Sequence, residues 1–141
     1  MRKFVTALAS VLAVTACAGI AYAGAPILNL QGTWTGTSES IERGSALHHA
    51  PHRDRNPHLD NVPFTLIVTG QDGRRFWGTV SSKRGEEPVT GVIAYDGRTI
   101  VAQDNDGMIQ GTIIDVDTID SVYSHTGAST VVAVNRWKRQ Q

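Results

Sequence analysis

From residue 32 to residue 137 the chain alternates inward and outward positions with a period of two, and a period of two builds strands, not helices. Gly32, Trp34 and Gly36 alternate with Thr33, Thr35 and Thr37. Phe64, Leu66 and Val68 alternate with Thr65, Ile67 and Thr69, and Phe76, Gly78 and Val80 with Trp77, Thr79 and Ser81. Val89, Gly91, Ile93 and Tyr95 follow, then Ile100 and Ala102, then Ile109, Gly111 and Ile113. The last two rows are Ile119, Ser121, Tyr123 and His125, and Val131, Ala133, Asn135 and Trp137. These are eight strand candidates, and no segment has helical spacing.

The connections between them are short. QDGR (71–74), YDGR (95–98) and DNDG (104–107) each place Asp-Gly between apolar runs, and Asp-Gly supplies the positive φ that tight hairpins require. Gly85 and Gly127 mark two further turns. Short connections favour antiparallel neighbours. A meander of eight strands with one apolar face exposes two edges unless it closes on itself. The expected fold is therefore all-β, an eight-stranded antiparallel up-and-down barrel. One segment interrupts the rhythm. Residues 39–63 hold three of the five prolines and four of the five histidines, which predicts a long loop between strands 1 and 2.

The N-terminus has the layout of an export signal. Arg2 and Lys3 precede a largely apolar run from Phe4 to Ile20, and Ala21-Tyr22-Ala23 is an A-x-A cleavage site. This divides the chain into a signal, 1–23, and one barrel domain, 24–141. Val14-Thr15-Ala16-Cys17 offers an alternative, a lipobox in which Cys17 would be lipidated and anchor the protein to a membrane. Either way the expected location is periplasmic, secreted or on the envelope surface. Cys17 is the single cysteine, so no disulfide can brace the barrel. Of 13 Lys and Arg residues, Arg2 and Lys3 leave with the signal, so 11 face 13 Asp and Glu. That balance is no footprint for nucleic acid, and no mature segment has the length of a transmembrane helix.

Gly32-Thr33-Trp34, together with Arg136 near the end of the chain, resembles the calycin group, which includes lipocalins and avidins. In that group a first-strand tryptophan closes one end of the barrel and a late arginine packs across it. The resemblance implies structural roles for Gly32, Trp34 and Arg136, with Arg139 as an alternative arginine, and a ligand cavity at the open end. The segment TGTSES after Trp34 does not match the polar biotin contacts of avidins. The run from FTLIVTGQDGRRFWGTV to GVIAYDGRTI is similar to uncharacterised bacterial secreted proteins of this general shape.

Candidate site residues follow from side-chain chemistry. Phe76, Tyr95, Tyr123 and His125 are the expected ligand contacts, with Tyr123 and His125 as polar anchors on one face of one strand. His48, His49, His52 and His58, with Asp54 and Asp60, offer imidazole and carboxylate ligands for zinc, copper or nickel. Pro51 argues against a regular helix that would align His48 with His52. DNDG with Asp115, Asp117 and Asp120 lacks the spacing of a calcium-binding EF-hand and reads as acidic hairpin turns. There is no G-x-S-x-G, P-loop, G-x-G-x-x-G or H-E-x-x-H motif, and no cofactor is implied. The expectation is an exported protein that is not an enzyme and binds a small or apolar ligand. Two alternatives are an envelope structural or interaction protein with a solid barrel and a metal-binding protein acting through residues 39–63. The oligomeric state is open.

Overall fold

In a computed structural model, described over residues 26–44 and 56–141, the chain forms a closed barrel of eight antiparallel strands, each paired with its sequence neighbours and the last with the first. The strands are β1 (Gly32–Gly44), β2 (His58–Asp72), β3 (Arg75–Ser82) and β4 (Gly85–Ile93). After them come β5 (Thr99–Gln103), β6 (Gly107–Asp115), β7 (Thr118–His125) and β8 (Ser129–Arg139). Closure runs through β1 and β8, where Ser38 faces Asn135 and Ile41 faces Val132. The export-signal reading of residues 1–23, Cys17 included, lies outside the described residues, as do His48, His49 and His52.

Apart from Tyr95, the predicted inward faces are the observed ones. Trp34, Val68, Phe76, Val89, Ile93, Ile100, Ala102, Ile113, Ile119 and Trp137 form one buried core. The first two Asp-Gly turns work as expected, with positive φ at Gly73 (57°) and Gly97 (73°). The third does not. Gly107 keeps an ordinary φ, and the Asp104 carboxylate closes this turn by accepting the Gly107 amide at 2.7 Å and the Asp106 amide at 3.3 Å.

The predicted loop over 39–63 is too long. β1 continues to Gly44 and β2 starts at His58, so Ser40 pairs with Asp60, Ile41 with Leu59 and Glu42 with His58. The inward residues of these extensions are Ser40, Glu42, His58 and Asp60 with Val62 alone apolar, so the inner face leaves almost no apolar alternation to read.

One end of the barrel is shut. Residues 28–31 cross it, and Leu30 is buried there. The Leu30 amide donates to Gln71 Oε1 at 2.6 Å, and Gln71 Nε2 donates to the Leu28 carbonyl at 2.9 Å. Trp34 is 0% exposed, and its indole N–H donates to the Leu30 carbonyl at 2.9 Å. The arginine across this ring is Arg139, whose guanidinium carbon lies 4.2 Å from the ring centroid. Arg139 also donates to the carbonyls of Asn29 and Gln31, at 2.8 Å each, and of Val116 at 3.1 Å. Arg136 is therefore not the closing arginine. Trp137 points inward, so strand alternation sends Arg136 outward and Arg139 back in. Arg136 forms an exposed two-point pair with Asp120 on the outer surface, both bonds 2.7 Å.

Candidate functional site

The other end is open, and the upper half of the interior is hollow. The cavity measures about 330 Å³. Its floor is Phe64, Val80, Ile109 and Trp137. Its waist carries Ser38, Ser121, Tyr123 and Asn135, and its rim Arg84, Glu86, Glu87 and Asp104. Below the floor the lower tier is packed, with about 30 Å³ of residual void among Leu30, Trp34, Phe76, Val89 and their neighbours. Trp137, Ile109, Val80 and Ser121 border both tiers. Trp137 is held in place because its indole N–H donates to Ser121 Oγ at 2.9 Å. An eight-stranded barrel is just wide enough to be filled or to hold one small ligand, and this one does the first below and leaves room for the second above.

The sequence-predicted contacts separate. Tyr123 lines the cavity. Phe76 does not, because it lies near the closed end of β3 and packs in the lower tier. Tyr95 is 89% exposed in the β4–β5 turn at the closed end, where Arg74 stacks on its ring at 5.1 Å. His125 is buried near the rim, with Nδ1 3.1 Å from Asp106 Oδ1. The same oxygen accepts the Tyr123 hydroxyl at 3.0 Å. Of the histidines named as metal ligands, His58 alone is described, at the start of β2 opposite Glu42.

Tyr123 reaches this place because of Gly107. A Cβ at residue 107 would sit 2.2 Å from the Tyr123 ring, so the ring lies against bare backbone. Burial, the nearby Asp104 charge and the hydrogen bond to Asp106 all raise the phenol pKa. Tyr123 is thus a neutral hydroxyl across the physiological range.

The rim residues were not legible as a site. The carboxylate oxygens of Glu87, Asp104 and Asp106 fall within 4.8 Å of one another. Beside them Arg84 pairs with Asp60 and stands 3.6 Å from Glu42, which is 3% exposed. Asp104 is half-buried in the wall, and its pKa is raised above the usual carboxylate value. Burial is the largest cause and the neighbouring Asp106 adds to it, while the Gly107 and Asp106 amides work the other way.

A raised folded-state pKa gives a stability contribution that is complete below the unfolded value and is lost as pH rises through the folded value. Ionised Asp104 therefore weakens the fold at neutral pH. Asp104→Asn keeps an oxygen for the turn amides and removes the charge. It is expected to raise the melting temperature at pH 7 and to lose that advantage below the carboxylate range. Thermal melts across pH check this, and an equal effect at every pH would contradict the buried-charge account.

No family model matches the chain, and no curated protein matches it. Among solved structures it is similar to a protein of unknown function of the DUF3598 family from Nostoc punctiforme PCC 73102, with a TM-score of 0.55 at 17% identity. That match covers 87% of this chain and 53% of the other, so the chain spans about half the length of this neighbour. It also matches an S-type phycobiliprotein lyase from Guillardia theta, with a TM-score of 0.35 at 10% identity over 79% of this chain and 89% of the other. At these identities the likeness concerns the fold alone. The expectation that the chain is not an enzyme is corrected here. A protein named as a lyase is among the structures it matches. Catalytic constellations are recognised by geometry and not by sequence position, and missing motifs therefore do not exclude catalysis. A TM-score of 0.35 assigns this chain no reaction.

Proposed function

We propose that this barrel binds a small ligand with an apolar body in the upper half of its interior. The cavity carries the proposal. It is about 330 Å³, walled by Phe64, Val80, Ile109 and Trp137 and joined by a few converging polar groups, as small-molecule sites generally are. A solid structural barrel accounts for the lower tier only.

A ligand that fills the cavity stabilises the folded state by mass action, by about 2.7 kcal/mol at a hundred times its dissociation constant. A thermal-shift screen of alkyl alcohols, amines and acids, sterols, haem and aromatic metabolites is expected to find at least one class that raises the melting temperature. Ile109→Trp, which fills the space from its wall, is expected to remove that shift while leaving a cooperative melt. A screen with no hit, or a hit that Ile109→Trp leaves unchanged, would count against the cavity as the binding site.

A further inference from the structure

One deep wall of the cavity is polar but uncharged. Ser38, Asn135 and Ser121 stand side by side on β1, β8 and β7, because Ser38 pairs with Asn135 and Asn135 with Ser121. All three line the cavity. Asn135 is one inward position above Trp137 on β8, which sets this row just over the floor. Phe64, Val80 and Ile109 make the rest of the deep wall apolar. Ser38 is 6% exposed, yet its hydroxyl has no hydrogen-bond partner among the described residues, and neither has the Asn135 carboxamide. Ser121 Oγ accepts the Trp137 indole N–H and keeps its own hydrogen for a further acceptor. The Tyr123 hydroxyl, by contrast, is engaged by Asp106, so this residue offers the cavity its ring. Buried polar groups are nearly always hydrogen-bonded, and here the partners have to come from what fills the cavity.

Asn135 presents an acceptor oxygen and a two-hydrogen donor side by side, and the Ser38 hydroxyl serves as either. A ligand group that only accepts would leave the Asn135 oxygen buried without a donor. A full charge at this depth would have neutral neighbours only, since the charged lining residues are at the rim. Resting on the cavity-binding reading, we infer that the ligand carries a neutral group with an adjacent donor and acceptor, of the carboxamide or lactam kind, held against Ser38 and Asn135. Its apolar body lies on Phe64, Val80, Ile109 and Trp137.

Three probes share one phenylethyl body and one carbonyl: hydrocinnamamide, the methyl ketone benzylacetone, and hydrocinnamate. They differ only in the amino, methyl or anionic oxygen group beside that carbonyl. Each is titrated calorimetrically at neutral pH into the full chain and into Asn135→Leu, which keeps the volume of the side chain and removes its polar atoms. Hydrocinnamate is expected to bind most weakly. In Asn135→Leu the ratio of amide to ketone affinity is expected to fall about tenfold, the size of one or two hydrogen bonds. Ser38→Ala, which removes a single hydroxyl, is expected to lower the ratio too, and it decides alone if the leucine variant does not melt cooperatively. An unchanged ratio in a folded variant would show that water serves the polar row, which would overturn the inference and leave the cavity reading standing. Tightest binding by hydrocinnamate would overturn it in favour of an anionic head. No binding by any of the three would overturn both.

Discussion

Trp34→Ala is expected to lower the folding stability by about 3–5 kcal/mol, the usual range for removing a buried aromatic ring from a core. The ring is 0% exposed and packs against Leu30, Val68 and Phe76 in the lower tier. Its loss leaves a void in the part of the barrel that has almost none. It also leaves the Leu30 carbonyl without its indole donor and Arg139 without the ring it covers. Domains of this kind have about 5–15 kcal/mol in total, so the variant should unfold far earlier in urea. The arginines sharpen the test. Arg139→Ala removes the cation–π contact and three bonds to carbonyls of the closing segments, whereas Arg136→Ala breaks one exposed pair that contributes little. A loss under about 1 kcal/mol for Trp34→Ala, or a larger effect at Arg136 than at Arg139, would mean that the closed end is built differently.

What could be read from the sequence depended on whether the inner face is apolar. Phe64, Val80, Ile109 and Trp137 alternate with outward residues, and their side was evident from the period alone. The same rule assigns Arg139 to the side of Trp137, so the correct closing arginine was within reach of strand alternation. Ser38, Glu42 and Asp60 follow the same period, but they are polar on the inside, and the ends of β1 and β2 therefore resembled a loop. The pattern thus fades where the cavity mouth begins. Glu87 comes from β4 and Asp104 from the β5–β6 turn, and nothing in their local sequence marks them as neighbours. Phe76 and Tyr95 were placed in the site because they are aromatic. Height along the barrel axis decides instead, and alternation carries no information about height. The plug at residues 28–31 has no strand pairing and so no period at all.

Trp137 separates a packed half from a hollow one, and shrinking it should change both the stability and the size of ligand admitted. The ring is buried, borders both tiers, and is fixed through Ser121 Oγ. Trp137→Ala is expected to cost about 3–5 kcal/mol, as for any buried ring of this size, and Trp137→Leu less because the leucine refills part of the volume. The ligand effect runs the other way. Each methylene withdrawn from water contributes about 0.8 kcal/mol, so affinity for a series of n-alkanols should climb steadily until the tail meets the indole and then level off. In Trp137→Leu the tail can pass the former floor toward Val89 and Ile100, and the plateau should move to longer alcohols. Calorimetric titration from hexanol to tetradecanol on both proteins measures this directly. A plateau at the same chain length in the wild type and the leucine variant would show that the tail does not rest on Trp137, and the body of the ligand would then have to lie along the β1–β8 wall beside Ser38 and Asn135.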